Sequence, residues 1–282
     1  MKYVYLITTK EWNNKKKNHN TIFLLVKIFV SIYKVVLLLS KSYRYQNNEW
    51  EDQLTKFNDI NISYDEIGNL LTIGSNIQLN WINGRELGSY SNGVTQVSYK
   101  YNVNGIRISK AVDTLETKYY LEDSDIVFEQ TGNNMLYYLR NDVDGLFGFK
   151  YNDDIYYYIK NAHDDVIGIL DDNLNVVAKY KYDSLGNILS ITDSQGNDIS
   201  ADINHIANIN PYRYRSYYYD KEIKMYYLND RYYNPLIGRF ISADITTGEC
   251  GNVLSHNMYQ YAFNDPINYD DSNGNWPKWL KK

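Results

Sequence analysis

The chain has 282 residues, of which 44% are hydrophobic and 31 are tyrosine, and its formal net charge at neutral pH is −5. This length is enough for one large domain or two ordinary ones with a buried core. The mild acidity argues against a nucleic-acid partner, and the single cysteine, Cys250, excludes an internal disulfide. Because the four histidines are far apart in the sequence, we expect no metal site and no cofactor: His19, His163, His205 and His256.

The first 49 residues differ from the rest of the chain. Residues 1–45 hold nine lysines and arginines against one acid, Glu11, whereas the remainder has 20 basic and 33 acidic residues, a net charge of −13. The apolar stretch over 21–39 predicts a helix, but Lys27 and Lys34 lie inside it, and each costs about 2.5–3.5 kcal/mol at the centre of a membrane span. The alternatives are a helix on a protein or membrane surface, an anchor or uncleaved export signal, and a non-native start.

Residues 50–205 predict a continuous run of β-hairpins. Short runs of apolar and aromatic residues are separated by Asn, Asp and Gly, which favour turns. The alternating residues of 97–112 surround Asn104-Gly105, the strongest short hairpin signal. Further hairpins are expected over 126–139, 148–161 and 166–191. All four prolines lie beyond residue 210, so we expect the last seventy or so residues to be more irregular.

Two of the predicted turns are near-copies of each other. YDEIGNLLTI begins at Tyr64 and YDSLGNILSI begins at Tyr182, while looser copies begin at Tyr101 and His163. In such a unit the aspartate can bond the turn backbone, the glycine supplies positive φ, and the aliphatic residues return on the next strand. We interpret the units as structural turns whose stacked hairpins bury a common core. Their defining residues are Tyr64, Asp65, Gly68, Asn69, Tyr182, Asp183, Gly186 and Asn187.

The C-terminal part carries a longer motif. Residues 210–244 read NPYRYRSYYYDKEIKMYYLNDRYYNPLIGRFISAD, and residues 255–277 read SHNMYQYAFNDPINYDDSNGNWP. Together with the repeat units, these stretches resemble the RHS (YD-repeat) family and its C-terminal RHS repeat-associated core domain. The resemblance covers about residues 52 to 277. It implies a mainly β fold of stacked antiparallel hairpins that form part of a spiralled shell. The expected domains are a basic head with a helix (1–49), a hairpin array (50–205), a core domain forming an irregular plug (206–277), and a tail without an effector (278–282).

The resemblance also implies a biological setting. RHS shells of polymorphic toxins and of insecticidal toxin complexes enclose a C-terminal effector. We therefore expect a secreted or cell-surface protein whose partners are an upstream shell polypeptide or an effector, with membrane contact through 21–39 as a further alternative. Because only a few repeats precede the core domain and eight residues follow Gly274, we expect the terminal part of a shell without its effector.

In many family members the core domain cleaves its own chain as an intramolecular aspartyl protease. Carried over onto this sequence, the family's arginine falls on Arg239 and its two aspartates on Asp244 and Asp271. Two close carboxylates share one proton, so that one activates water while the other protonates the leaving group. A nearby arginine can stabilise the developing negative charge. The alternative role for Arg239 and Asp244 is an ion pair or turn cap that holds the plug shut.

The cleavage sequence departs from the family pattern. The family's D-P-x-G-L reads DSNGN here, with Ser272 in place of the proline and Asn275 in place of the leucine that precedes the cleaved bond. Asp270 adjoins Asp271, so the second carboxylate is ambiguous by one residue. Any enzymatic activity is limited to this self-cleavage.

Two other functions compete with a self-cleaving shell fragment. A surface-associated β-rich module could bind glycans or proteins, since exposed tyrosines stack well on sugars. Alternatively, the chain is a truncated remnant without independent activity, which the unmatched basic head and the small number of repeats favour.

Overall fold

The computed structural model describes residues 41–143, 145–245, 248, 256–271, 274 and 278–279. Contacts divide the chain into Met1–Ser42 and Tyr43–Lys282, and the described residues fall almost entirely in the second unit. The apolar stretch over 21–39, with its predicted helix and membrane contact, lies outside the described residues. Within the described residues, no helix is both long enough and apolar enough to cross a bilayer.

One antiparallel sheet of 16 strands forms the repeat array, residues 43–192, and each strand pairs with its neighbours in the sequence. Such a meander requires only short turns, which the Asn-, Asp- and Gly-rich connections supply. The mainly β fold of stacked hairpins is therefore confirmed. The strands are β1 (Tyr43–Arg44), β2 (Lys56–Phe57), β3 (Ile60–Tyr64), β4 (Leu70–Ile73), β5 (Ile77–Ile82), β6 (Glu86–Ser91), β7 (Gln96–Tyr101), β8 (Arg107–Val112), β9 (Leu115–Glu122), β10 (Asp125–Thr131), β11 (Asn134–Asn141), β12 (Gly145–Tyr151), β13 (Asp154–Lys160), β14 (Val166–Leu170), β15 (Val176–Tyr182) and β16 (Ile188–Thr192).

One face of this sheet is buried. In β7, Val97 and Tyr99 are buried, whereas Ser98 and Lys100 between and beyond them are exposed. This alternation is the expected pattern for a strand with one face on a core and one in water. The buried residues of successive strands join into one hydrophobic core that continues into the C-terminal part of the chain.

The C-terminal part, which we call the plug (residues 206–279), covers this buried face. It contains a helix, α1 (Ile206–Ile209), a four-stranded antiparallel sheet and a strand pair. The four strands are β17 (Tyr218–Asp220), β18 (Met225–Leu228), β19 (Arg231–Asn234) and β20 (Arg239–Phe240), and the pair is β21 (Tyr269–Asp270) with β22 (Lys278–Trp279).

The plug has shorter strands than most of the array, as its sequence indicated, and two of them are buried on both faces. Every residue of β18 and β19 is buried. Tyr227 and Tyr232 join the core of the repeat array, whereas Tyr226 and Tyr233 pack into a second core on the opposite face. A strand that is buried on both faces shows no alternation of apolar and polar residues, so its sequence carries no period-2 signal.

The repeat turns are built as their sequence predicted. Asp65 Oδ1 accepts the backbone N–H groups of Ile67 (3.1 Å) and Asn69 (2.7 Å), and the Asn69 amide donates back to Asp65 Oδ2 at 2.8 Å. Gly68 has a φ of +86°. The unit at Tyr182 repeats this geometry, with Asp183 accepting from Leu185 and Asn187 at 2.9 Å each.

The same turn also occurs where the sequence motif is incomplete. Asp171 accepts the backbone N–H groups of Asn173 (3.0 Å) and Asn175 (2.7 Å), although Leu174 stands at the glycine position with a φ of +62°. Asp193 and Asn197 form another copy. At Tyr101 the turn forms with Asn102 Oδ1 accepting from the N–H groups of Asn104 (2.9 Å) and Ile106 (3.0 Å), so the shared feature is a side-chain oxygen at the first turn position.

A buried ionic cluster fastens the plug to the repeat array. The fully buried Arg107 of β8 donates to Asp220 of β17, and Lys110 donates to Asp220 (3.0 Å) and to Glu222 (3.0 Å). Burial by itself would raise the pKa of Asp220, but Arg107 and Lys110 outweigh it and hold that pKa below its usual value. Five tyrosine rings, contributed by both the array and the plug, lie within 6.0 Å of the Arg107 guanidinium carbon: Tyr99, Tyr119, Tyr218, Tyr227 and Tyr232.

Asp220→Asn is expected to destabilise the protein by about 3–5 kcal/mol, because it leaves the Arg107 cation buried without its carboxylate. Chemical denaturation measures this loss. The matched control is Glu116→Gln, which breaks the exposed ion pair with Lys100 (3.3 Å) and should leave the unfolding midpoint unchanged. Equal shifts in the two variants would contradict a special role for the buried cluster.

Glu129 gives a pH-dependent test of the same interface. Burial raises its pKa, and hydrogen bonding from the Tyr218 hydroxyl (2.7 Å) only partly opposes this. When the pKa of a carboxyl is higher in the folded than in the unfolded state, its contribution to the free energy of unfolding is fully present below the pKa of the unfolded state, about 4.3. That contribution is lost as the pH rises through the pKa of the folded state. Glu129→Gln should therefore be more stable than wild type near neutral pH, and this gain should vanish in acid.

Melting temperatures measured against pH for wild type and Glu129→Gln test this expectation. Glu116→Gln is again the control, because hydrogen bonding from Lys100 lowers the pKa of Glu116, and no gain at neutral pH is expected there. A Glu129→Gln variant with the same melting temperature as wild type from acid to neutral pH would refute it.

Candidate functional site: two aspartates on one buried arginine

Arg231, at the start of β19, lies between the two predicted aspartates. Its Nη2 atom is 2.8 Å from Asp244 Oδ2 and 3.6 Å from Asp271 Oδ2. All three residues are buried, and Asp271 is 0% exposed. The fold therefore brings the two aspartates together on a single guanidinium nitrogen, although they are far apart in the sequence.

The remaining atoms of the Arg231 guanidinium are also engaged. Nη1 donates to the Met258 carbonyl at 3.1 Å, and Nε donates to the Gly274 carbonyl. The guanidinium carbon lies 3.8 Å from the centre of the Phe240 ring. Burial lowers the pKa of Arg231, and the neighbouring carboxylates oppose that effect. These contacts fix the orientation of the guanidinium plane.

Gly274 is held tightly against the turn between β18 and β19. It has a φ of +79°, and a Cβ atom there would lie 2.9 Å from the Leu228 carbonyl oxygen and 3.2 Å from the Arg231 nitrogen. Only glycine accommodates both the conformation and the approach. The Gly274 carbonyl bonded by Arg231 belongs to the peptide unit immediately before Asn275, the residue that precedes the predicted cleavage point.

The second carboxylate at this cluster is Asp271. Asp270 belongs to β21, where it pairs with Lys278 of β22, and it is only half-buried. Asp271 is completely buried and within ion-pair distance of Arg231. The one-residue ambiguity of the sequence is thus resolved in favour of Asp271 at the cluster.

Arg239, the arginine assigned by the family resemblance, makes different contacts. Its guanidinium donates to the Tyr45 hydroxyl (2.6 Å), the Asp52 carbonyl (2.9 Å) and Asn257 Oδ1 (2.9 Å). Among the described residues, the ion pairs of the two aspartates are with Arg231. Arg239 joins the start of the repeat array to the plug, and its catalytic role stays a prediction.

Sequence reasoning missed Arg231 because nothing in the local pattern separates it from Arg239. Both arginines lie in the same motif, on the paired strands β19 and β20, where Asn234 is opposite Arg239. Which of the two faces the aspartates depends on how the segments around residues 258 and 271 pass over this small sheet.

An open cleft adjoins the cluster. It has a volume of about 620 Å³ and is lined by the first turns of the repeat array together with the plug, including Arg85, Asp230, Arg231, Ala243 and Ile245. Among the described residues, no group of three histidine, cysteine or acidic side chains is placed to hold a metal ion. The groups that the structure places together at the cluster are two carboxyls and one guanidinium.

An exposed aromatic row lies on the solvent face of the repeat array. The rings of Tyr120 and Phe128 are stacked at 4.7 Å, and those of Phe128 and Tyr137 at 4.4 Å. Both faces of the Phe128 ring are covered by its neighbours, whereas Tyr120 and Tyr137 are exposed. Glycan binding stays a prediction.

No family model matches the chain. The chain is 36% identical over 236 residues to the tRNA3(Ser)-specific nuclease WapA of Bacillus spizizenii, and 36% identical over 243 residues to the tRNA nuclease WapA of Bacillus subtilis strain 168. Each match covers 81% of this chain and 10% of the relative. The chain thus spans about a tenth of the length of the curated relatives that it matches.

The fold is also similar to a solved structure. The Photorhabdus luminescens Tc holotoxin pore, solved with a TccC3 variant, matches with a TM-score of 0.60 and 17% sequence identity. The match covers 86% of this chain and 12% of that chain. The chain therefore shares the fold of one segment of a Tc toxin and is similar in sequence to one segment of the WapA nucleases.

Proposed function

We propose that this chain is the C-terminal shell-and-plug part of an RHS-type toxin protein, and that its plug cleaves its own chain after Asn275. Asp244 and Asp271 are the catalytic carboxyls, and Arg231 orients them. The observation that carries this proposal is the Arg231 guanidinium, which contacts both carboxylates and the carbonyl of Gly274 at once. The resemblance to segments of WapA and of the Tc holotoxin supports the toxin setting.

The proposed mechanism has the two carboxyls share one proton. Asp244 and Asp271 both lie within ion-pair distance of the same guanidinium nitrogen, and close like charges disfavour ionisation of both carboxyls. With one proton shared, the ionised carboxylate removes a proton from water, whose oxygen attacks the Asn275 carbonyl carbon. The protonated carboxyl then gives its proton to the Trp276 nitrogen as the peptide bond breaks.

Arg231 contributes positioning and charge. Its bond to the Gly274 carbonyl holds the chain one residue before the cleaved bond, and its positive charge stabilises the oxyanion that forms beside the aspartates. The fixed guanidinium needs little reorganisation during the reaction, because packing on Phe240 and the bond to Met258 already orient it.

The proposed setting is a secreted or cell-surface toxin whose shell continues beyond this segment. Among the described strands, β1 lies at one edge of the 16-stranded sheet, and both of its residues are exposed. A strand edge of this kind accepts further hairpins. The proposed partners are therefore additional shell polypeptide and an effector. The nuclease activity in the names of the WapA relatives is not assigned to this segment, which corresponds to a tenth of those proteins.

Mass spectrometry of the purified chain tests the two carboxyls. Wild type should lose residues 276–282, whereas Asp244→Asn and Asp271→Asn should cleave about 10²–10⁴-fold more slowly and stay intact. Asp270→Asn is the matched control, since it changes the adjacent carboxylate, and it should cleave like wild type. An intact wild-type chain, or equal effects of the Asp270 and Asp271 variants, would refute the proposal.

The two arginines are compared by lysine substitution. Arg231→Lys removes the planar group that contacts both carboxylates and the Gly274 carbonyl, so cleavage should slow by about 10²-fold or more. Arg239→Lys should have a smaller effect on the cleavage rate, because its contacts lie with Tyr45, Asp52 and Asn257. The rate is measured by the time course of tail release, and a stronger effect of Arg239→Lys would return the catalytic role to Arg239.

A further inference from the structure

The segment that leads to Asp244 is seated on the first repeat unit. The Leu70 N–H donates to the Ile241 carbonyl at 2.9 Å, and the Ala243 N–H donates to the Gly68 carbonyl at 3.2 Å. Asn69 and Ser242 form an antiparallel bridge between these two bonds. A short piece of sheet therefore joins the turn of a repeat unit to the residues directly before Asp244.

Gly68 is shaped to fit this seat. It has a φ of +86°, and a Cβ atom there would meet Tyr259 Oη at 2.6 Å, a Trp50 ring carbon at 2.7 Å and Ala243 Cβ at 2.9 Å. The turn itself requires the positive φ, but the close approach is made by residues of the plug and of the segment around Trp50. A side chain at this position would have to displace the Asp244 segment or the tyrosine beside it.

Arg85 completes the seat from the next hairpin. Its guanidinium Nη1 donates to the carbonyl of Ala243, which is the residue immediately before Asp244. The turn carrying Arg85 is tied to the repeat unit, since the Asn69 amide donates to the Gly84 carbonyl at 2.7 Å. Gly68 and Arg85 of the repeat array thus hydrogen-bond the N–H group and the carbonyl of Ala243. The Asp244 N–H donates to the Met258 carbonyl at 2.9 Å.

The second repeat unit seats a different part of the plug. Gly186 has the same φ of +86°, and a Cβ atom there would meet the Tyr214 ring at 2.6 Å. The Tyr226 hydroxyl donates to the Gly186 carbonyl (2.7 Å), and the Asn187 amide donates to the Pro235 carbonyl (2.8 Å). The two near-identical units therefore dock two separate parts of the plug, and only the first contacts the segment before Asp244.

We propose that the turn at Tyr64–Asn69, together with Arg85, positions the Asp244 carboxylate against Arg231, so that the repeat array takes part directly in self-cleavage. Gly68 and Arg85 are positioning residues, because they act on Asp244 through the backbone of Ala243. This inference rests on the self-cleavage proposed above. It predicts that the plug becomes active only when docked on the first repeat unit.

Gly68→Ala and Gly186→Ala form a matched pair for this test. Both place a methyl group at the same position of the same turn, at the same φ and against equally close neighbours. Gly68→Ala should slow tail release by about 10²-fold, since displacement of a reacting group by an ångström has an effect of that size. Gly186→Ala should cleave like wild type, provided that both variants show cooperative unfolding. Equal slowing in the two variants would overturn the proposal.

Arg85 is tested by truncation and partial restoration. Arg85→Ala should slow cleavage by about tenfold, the typical effect of one lost hydrogen bond to a charged donor, and Arg85→Lys should recover part of that loss. If Arg85→Ala left the rate unchanged, or if the lysine variant were no better than the alanine variant, Arg85 would have no positioning role.

Hydrogen exchange separates this inference from the proposed catalysis. It is measured in the Asp244→Asn background, where no cleavage is expected, on peptides covering residues 241–244. Gly68→Ala and Arg85→Ala should accelerate exchange there, whereas Gly186→Ala should accelerate it around Tyr226 instead. If the Gly68 variant showed wild-type exchange at 241–244, the proposal that the first repeat unit positions this segment would be wrong, even if the wild type cleaves. Faster exchange together with an uncleaved wild type would support that positioning and refute the proposed self-cleavage.

Discussion

The structure depends on one interaction, the hydrogen bond that a tyrosine hydroxyl of one segment donates to a backbone carbonyl of another. The repeat tyrosines bond a carbonyl of an earlier part of the chain: Tyr64 bonds Leu54 (3.3 Å), Tyr101 bonds Leu87 (3.0 Å) and Tyr182 bonds Val166 (2.8 Å). Each bond fixes one hairpin against its predecessor, because a register slip of one residue would turn the ring to the solvent face. These three tyrosines therefore stabilise the stacking of successive hairpins.

The same interaction joins the plug to the array. Tyr226 and Tyr233 of the plug donate to the carbonyls of Gly186 and Leu185, in the turn of the second repeat unit. A repeat turn offers such carbonyls at its outer surface, since its own aspartate satisfies the N–H groups. The turns are thus docking elements as well as connections. This role goes beyond their interpretation as structural turns.

Two arginines show how the interface accommodates charge. Arg107 and Arg231 are both buried, both contact carboxylates, and both pack on aromatic rings. At Arg107 two cations meet two carboxylates, which balances the charge and suits a structural cluster. At Arg231 two carboxylates lie within ion-pair distance of the same guanidinium nitrogen, and the proposed self-cleavage assigns its chemistry to this second cluster.

The sequence by itself determined the hairpins, the repeat turns and the two aspartates of the candidate site. These features are local, or are contained in a motif, and turn chemistry at Asp65 and Asp183 depends only on residues within four positions. Tertiary structure alone decided that Arg231 rather than Arg239 lies beside the aspartates, that Asp271 rather than Asp270 completes the cluster, and that Gly68 seats the Asp244 segment. These choices depend on contacts between segments that are from 13 residues apart (Arg231–Asp244) to 175 residues apart (Gly68–Ala243) in sequence. No local pattern encodes such contacts, because they arise only when the plug packs across the buried face of the sheet.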